Sequence, residues 1–252
     1  MSKASLAPGN ADTKISIVIP VYNEALAIYE LLRRIVEVEL PGYDVEIIVV
    51  DDGSTDETIS RIETFRTDHP KFANIIRSHQ GLVNHGKGSA LRAGFKLATG
   101  DIILIQDGDL EYFPSDYPKL LEPFRDSKVQ VVYGSRFLNG NPKGMKIPNL
   151  IANKILTFTA HHLYGQKLTD EATGYKVFRK SILNKIVLHS RGFEFCPEFT
   201  SNVLRAGETI YEVPIQYNPR GILQGKKIKA RDGFVAMWWL LKLRFAKISR
   251  RQ

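Results

Sequence analysis

The chain has 252 residues, 43% apolar and 25% charged, which suits one large α/β domain with appendages and excludes a disordered or collagen-like chain. Its formal net charge is +8, yet residues 221–252 hold nine Lys and Arg against one acid, Asp232, so residues 1–220, with 26 charges of each sign, are neutral. A neutral body with a basic tail argues against nucleic-acid binding and suits a local anionic target, either a phosphate-bearing ligand or an acidic lipid surface.

Residues 1–14 lack an apolar core and read as a disordered leader, neither secretory signal nor anchor. Apolar, β-rich runs follow at Ile15–Val21, Val45–Val50, Asn74–Arg77, Ile102–Gln106 and Val129–Tyr133. Helix-like stretches lie between them, near Ala25–Val38, Asp56–Arg66, Lys87–Ala98 and Asp116–Arg125. Nearly unbroken runs such as EIIVV and DIILI suit strands buried on both faces, and their alternation with helices predicts a mainly parallel sheet. The later half is more elaborate. After the turn-rich Gly140–Gly144 come an amphipathic stretch at Ile147–Tyr164, helical pieces near Phe178–Leu188 and Pro197–Arg205, a strand at Thr209–Tyr217 and a helical tail from Ala230 to Ile248. The longest apolar run, Phe234–Leu241, has eight residues, too short to span a bilayer. Cys196 is the only cysteine, which excludes an intramolecular disulfide and fits a reducing compartment.

Ligands of open α/β sheets bind beyond the carboxyl ends of the strands. Three acidic clusters fall there: Pro20-Val-Tyr22-Asn-Glu24, Asp51-Asp52-Gly-Ser-Thr-Asp56 and Gln106-Asp107-Gly108-Asp109. Alternating carboxylates at Asp107 and Asp109 can share a hard divalent cation that also holds a diphosphate, and Gly108 leaves room for close approach of a ligand. Ser54 or Thr55 can cap the next helix and Asp56 favours its positive end, which leaves Asp51 and Asp52 for a base N–H or ribose hydroxyls. Gly81–Ser89 misses the ATPase phosphate loop, since Gly88 stands where a hydroxyl is needed; a helix start presenting amides and Lys87 to phosphate remains. Arg136 and Arg220 each follow a strand, and Lys226 and Lys227 come soon after the latter, as phosphate-binding cations. His161-His162 lacks metal-ligand spacing, and no Ser-His-Asp order is present.

These motifs resemble the family-2 glycosyltransferases of GT-A fold, and within them the dolichol-phosphate mannose synthase-like branch. The match runs in order through Ile-Pro-Val-Tyr-Asn-Glu, Val-Asp-Asp-Gly-Ser-Thr-Asp, His-Gly-Lys-Gly, Gln-Asp-Gly-Asp-Leu-Glu-Tyr, Gly-Ser-Arg-Phe, Leu-Thr-Asp-Glu-Ala-Thr-Gly-Tyr-Lys and Glu-Val-Pro-Ile, from Ile15 to about Lys229. The resemblance implies a Rossmann-like, mainly parallel sheet flanked by helices over residues 15–229; residues 230–252, beyond it, read from their spacing and charge as an amphipathic basic helix. It implies that Pro20, Tyr22, Glu24 and Asp52 hold the nucleoside, and that Asp107 and Asp109 bind Mg²⁺ or Mn²⁺ and the donor diphosphate. Arg136 would lie beside the phosphates of donor or acceptor, Asp170 near the acceptor, and Arg220 after the Glu-Val-Pro-Ile strand. Two departures stand out. Gly108 replaces the family's usual alanine, a mild change, and the segment from Arg220 to Lys226 and Lys227 is two residues longer than the family's pattern, which leaves open which of the three meets phosphate. Lys143 and Lys146 stand in for an arginine that related enzymes carry after Arg136.

The expected activity is inverting transfer of a hexose from a nucleotide sugar, with uracil or guanine as base, to a polyprenyl phosphate. An acceptor phosphate is already anionic and needs no strong base; a hydroxyl acceptor would need one, such as Asp170. The rivals are transfer to a soluble sugar, peptide or small-molecule hydroxyl, and an idle membrane-binding module. Phe234, Met237, Trp238, Leu241 and Phe245, flanked by basic residues, predict docking on the cytoplasmic face of a membrane, unless the helix packs on the domain instead. Homo-oligomerisation is left open.

Overall fold

The computed structural model describes residues 13–220 and 230–246. Seven strands form one sheet: β1 (Thr13–Val21), β2 (Tyr43–Asp51), β3 (Ile76–Gln80), β4 (Ile102–Ile105), β5 (Val131–Ser135), β6 (Lys176–Arg179) and β7 (Ile210–Pro214). Their order is β3-β2-β1-β4-β6-β5-β7; every pairing is parallel except those of β6 with β4 and β5. Helices α1 (Ile28–Val36), α2 (Thr58–Asp68), α3 (Lys87–Leu97) and α4 (Tyr117–Leu121) connect the first five strands. Helices α5 (Ile147–Tyr164), α6 (Ile182–Lys185), α7 (Phe195–Arg205) and α8 (Ala230–Phe245) belong to the later half.

The period-2 geometry of a strand divides the core into two layers. Ile15, Ile17, Ile19 and Val21 of β1 join Ile47 and Val49 of β2 against α1, whose Leu31, Leu32 and Ile35 recur at helical spacing. Val18, Ile48 and Val50 face the other way, toward Leu91 and Phe95 of α3. Each such fully buried side chain contributes about 1.5–3 kcal/mol of burial. A third, small cluster, Leu156, Ala160, Ala236 and Leu240, joins α5 to α8, and α7 packs against both.

Most predicted elements appear within a few residues, and three differ for identifiable reasons. The stretch read as a helix from Phe178 is strand β6 followed by the one-turn α6; Val177 and Phe178 insert between β4 and β5, so tertiary pairing overrides the local pattern. The run Asp116–Arg125 is broken into two 3-10 turns around α4, with prolines in the first turn of each piece. Strand β3 lies at the sheet edge, exposed after Ile76, and starts two residues later than the apolar run suggests. Strand β1 begins at Thr13, inside the expected leader, while Lys226 and Lys227 lie outside the described residues.

Candidate active site

Strand order reverses between β1 and β4, and the crevice at their carboxyl ends is where such sheets bind ligands. The chain after β1 is clasped to the chain after β2. Asn23 adopts φ 51°, a left-handed conformation that Asn tolerates, its N–H donates to Ser54 Oγ at 2.8 Å, and its Oδ1 accepts from Thr55 N at 2.8 Å. Glu24 N donates to Thr58 Oγ1 at 2.8 Å. Asp51 accepts from Ser54 N at 3.1 Å and from its hydroxyl. Asp52 accepts from His85 N at 2.9 Å and Gly86 N at 2.6 Å. Both aspartates therefore hydrogen-bond the loops at the strand ends. Neither Ser54 nor Thr55 caps α2: its N-cap position is Glu57, which makes no side-chain cap bond, and Asp56 accepts from Thr58 N at 3.0 Å.

Loop 81–86 leads into α3, where Lys87 pairs through Nζ with Asp107 Oδ1. Burial opposes the Lys87 charge, but Asp107 more than offsets it and raises the ammonium pKa. Gly88 leaves no space for a side chain, since a Cβ there would lie 2.7 Å from the backbone oxygen of Ser190. A hydroxyl-bearing residue at this position is thus excluded by packing. Gly108 also packs closely on β1: a Cβ there would lie 2.7 Å from Val21 Cγ1 and 3.0 Å from the Pro20 oxygen.

Asp109 is the centre of the cluster. Its Oδ2 receives Arg220 Nη2 at 2.6 Å, and its Oδ1 accepts from Glu111 N at 2.9 Å. Arg220 reaches Glu24 Oε2 with Nη1 at 3.1 Å, while its backbone N–H donates to Glu111 Oε1 at 2.7 Å. One guanidinium thus bridges the loop after β1 and the Asp-Gly-Asp loop after β4. Burial and the neighbouring charge of Asp107 push the Asp109 carboxyl up to about 7 despite Arg220. Gln106 points elsewhere and accepts hydrogen bonds from Tyr117 and Tyr175 hydroxyls, each at 2.8 Å.

Arg136, at the end of β5, is not delivered to these carboxylates. Its Nε and Nη2 each donate to Asp170 at 2.7 Å, and its backbone N–H donates to Asp170 at 3.0 Å. Asn153 of α5 adds a fourth bond at 2.9 Å, and Asp170 is fully buried. Sequence reasoning missed Asn153 and Tyr217. The Tyr217 ring lies 5.0 Å from the Arg136 guanidinium, and its hydroxyl donates to Glu111 Oε2 at 3.0 Å. The available signals were an Asn on the inner face of an apolar helix and a Tyr three residues before Arg220.

The family model for glycosyl transferase family 2 matches residues 16–187. The chain belongs to this family. Its fold is GT-A, and it superposes on glucosyl-3-phosphoglycerate synthase from Mycobacterium tuberculosis, crystallised with Mn²⁺, UDP and phosphoglyceric acid, with a TM-score of 0.71 at 20% identity, covering 95% of this chain and 81% of that one. Among curated family members, it is 30% identical over 228 residues to a dolichol-phosphate mannosyltransferase from Pyrococcus furiosus, covering 85% of this chain and 60% of the relative. It is 28% identical over 214 residues to an undecaprenyl-phosphate 4-deoxy-4-formamido-L-arabinose transferase from an Enterobacter species, covering 84% and 62%. The chain therefore spans about 60% of the length of these curated relatives.

Proposed function

We propose that this family-2 chain transfers a hexose from a nucleoside diphosphate sugar to a polyprenyl phosphate, with inversion at the anomeric carbon. The observation that supports this choice of acceptor is the state of Asp170. A hydroxyl acceptor must lose a proton during attack, which calls for a base within hydrogen-bond reach. Asp170, the candidate base, is fully buried with both oxygens committed to Arg136 and Asn153. A phosphate oxygen is anionic at neutral pH and attacks without help. The curated relatives named for dolichyl and undecaprenyl phosphates point the same way. In the step, the acceptor oxygen forms a bond to C1 as the bond from C1 to the diphosphate oxygen breaks, and the nucleoside diphosphate leaves with that electron pair.

Asp107 and Asp109 would hold Mg²⁺ or Mn²⁺. Their carboxylate oxygens suit a hard cation, and burial together with the charge of Asp107 raises the Asp109 carboxyl to about 7, a cost that added positive charge would relieve. Among the described residues, no three His, Cys, Asp or Glu side chains make up a metal-binding group, so diphosphate oxygens would complete the coordination. Held there, a cation would supply positive charge against the leaving diphosphate. Pro20, Tyr22 and Glu24 would hold the nucleoside within loops fixed by Asp51 and Asp52. Arg220 and Lys87 would exchange their carboxylate partners for phosphate oxygens and stabilise the charge that develops there. Lys143 and Lys146, exposed before α5, with Lys226 and Lys227, would meet the acceptor phosphate. Arg136 would act by positioning, through Asp170 and Tyr217. Residues 15–229 would form the catalytic unit. Residues 230–252, which include α8, would hold it peripherally on the cytoplasmic face of a membrane; no described helix is long and apolar enough to cross one.

The test offers GDP- and UDP-hexoses with Mn²⁺ and, separately, a short polyprenyl phosphate, the corresponding polyprenol and soluble hydroxyl acceptors. The expected result is a solvent-extractable glycosyl phosphate formed one for one with nucleoside diphosphate. Product from hydroxyl acceptors alone would overturn the reading.

A further inference from the structure

In the run Leu-Thr-Asp-Glu-Ala-Thr-Gly-Tyr-Lys, residues 168–176, Asp170 holds Arg136. Gly174, four residues on, meets the other charged cluster. A Cβ built there would overlap Asp107 Oδ2 and lie 3.0 Å from Asp107 Cγ and 2.9 Å from Tyr112 Cε2, where ordinary contact begins near 3.4 Å. The glycine is therefore flush against one oxygen of the first carboxylate in Asp-Gly-Asp. The opposite oxygen, Oδ1, pairs with Lys87 Nζ. Asp107 thus stands between a cation on one side and bare backbone on the other.

A glycine can be required for its backbone or for its space. Gly174 does not adopt a positive φ, so only the space is at issue. The backbone there is pinned. Gly174 N donates to the Tyr112 hydroxyl at 2.8 Å, Thr173 Oγ1 donates to the Gly134 carbonyl at 2.5 Å, and Lys176 Nζ donates to the Thr173 carbonyl at 2.9 Å. Tyr112 is itself buried, with its ring 4.8 Å from that of Tyr175 and 5.4 Å from that of Tyr217. Asp107, by contrast, ends in a carboxylate that is 19% exposed and paired only to the end of a flexible lysine. A methyl group at position 174 would therefore be accommodated by Asp107, whose Oδ2 has to retreat by about 1 Å to reach ordinary contact. Metal–ligand distances tolerate only about 0.2 Å, so a shift of that size takes the oxygen out of a coordination sphere.

From these observations we infer that Gly174 is a positioning residue for the metal site: by having no side chain it fixes where Asp107 Oδ2 stands, while Lys87 fixes the opposite oxygen. Gly174 also offers no side-chain donor, so it confines Oδ2 without occupying the lone pairs that a divalent cation would use. The inference rests on the proposed role of Asp107 in holding that cation. Segment 170–174 then serves both halves of the crevice, its first residue gripping Arg136 and its last bounding Asp107.

The experiment titrates Mn²⁺ into the full chain and its Gly174→Ala, Tyr112→Leu and Gly174→Ala/Tyr112→Leu variants, each with GDP or UDP, and reads free Mn²⁺ by electron paramagnetic resonance. Gly174→Ala should bind Mn²⁺ at least about tenfold more weakly than wild type, the scale of a lost supporting contact at a metal site. It should remain folded by circular dichroism, because Asp107 can swing aside and alanine needs no unusual backbone at this position. The Mn²⁺ concentration for half-maximal donor turnover should rise in step, with turnover recovering at saturating Mn²⁺. Tyr112→Leu removes the ring edge that also faces Gly174, so the double variant should keep the weakened Mn²⁺ binding. Wild-type Mn²⁺ affinity in Gly174→Ala would overturn the inference. Recovery in the double variant would overturn it too, by assigning the space to the Tyr112 ring, as would a Gly174→Ala chain that does not fold. No Mn²⁺ binding by wild type would reject the metal reading and this inference with it. Mn²⁺ binding that depends on Gly174, without transfer to any polyprenyl phosphate, would uphold the inference and reject the proposed acceptor.

Discussion

Arg136 donates through Nε and Nη2 to a single buried carboxylate, and that commits the fork which could otherwise grip a phosphate. Burial disfavours the guanidinium charge, but Asp170 outweighs it and holds the Arg136 pKa well above its ordinary value. Removing one partner of such a pair leaves an uncompensated charge in the interior and costs about 3–5 kcal/mol. Arg136→Ala and Asp170→Ala should each lower unfolding free energy by that order in urea titrations, and the double variant should lose less than the sum. A purely phosphate-binding Arg136 would leave stability unchanged. Asp109 behaves in the opposite way. Its carboxyl is destabilised by burial and Asp107, and Arg220 keeps Glu24 and Glu111 as partners without it. Asp109→Asn should therefore change stability by no more than about 1 kcal/mol while abolishing Mn²⁺ binding read by electron paramagnetic resonance in the presence of nucleoside diphosphate. Retained Mn²⁺ binding in that variant would remove Asp109 from the metal site.

At the level of elements, the parallel half of the sheet was legible because β1, β2 and β4 are buried on both faces and write themselves as unbroken apolar runs. Strand β6 was not: its four residues include the buried Lys176, which is satisfied only in three dimensions, by the carbonyls of Glu171 and Thr173 and by the Tyr133 ring 4.0 Å away. The acidic ends of β1, β2 and β4 could be assigned to one crevice from topology alone. Which side chains bind ligand and which bind each other could not, because Asp52 and Asp170 find their partners in loops and helices distant in sequence, whose placement no local pattern encodes. Helix α8 packs on the domain through Ala236, Leu240 and Met237, the last of which the sequence placed in the docking line, while Phe234, Trp238, Leu241 and Phe245 are exposed. Gly108 tests how tightly the loop after β4 is built onto β1. Gly108→Ala should cost about 1–3 kcal/mol through the clash with Val21 and the Pro20 oxygen. Combining it with Val21→Ala should recover part of that loss, a coupling of about 0.5–3 kcal/mol in a double-mutant cycle. Strict additivity would show that the loop relaxes instead of pressing on β1.

Across the whole molecule, the crevice lies at one end of the central strands and a buried polar joint lies at the other. Glu46 of β2 is buried there, accepting from Ser16 Oγ of β1 at 2.5 Å and from Thr99 N and Oγ1, beyond α3, at 2.6 and 2.9 Å. One carboxylate thus ties β1 and β2 to the loop between α3 and β4. Burial acts against its ionisation, but the hydrogen bonds from Ser16 and Thr99, with Lys14 nearby, prevail and lower its pKa below the ordinary value of 4.5. The direction fixes the pH dependence. Above 4.5 the group is ionised in both folded and unfolded chains, and its contribution to stability is fully present. As pH falls below that value the unfolded chain takes up the proton first, and the contribution is lost as pH drops through the lowered folded value. Glu46→Gln should therefore lower stability at pH 7, where the charge-assisted bonds are at full strength, by about 1.5–3 kcal/mol. It should also flatten the acid limb, so that wild type and variant converge between pH 4 and pH 2. Urea titrations across this range decide it, and a gap that stays constant down to pH 2 would show that the joint at Glu46 works by shape and not by charge.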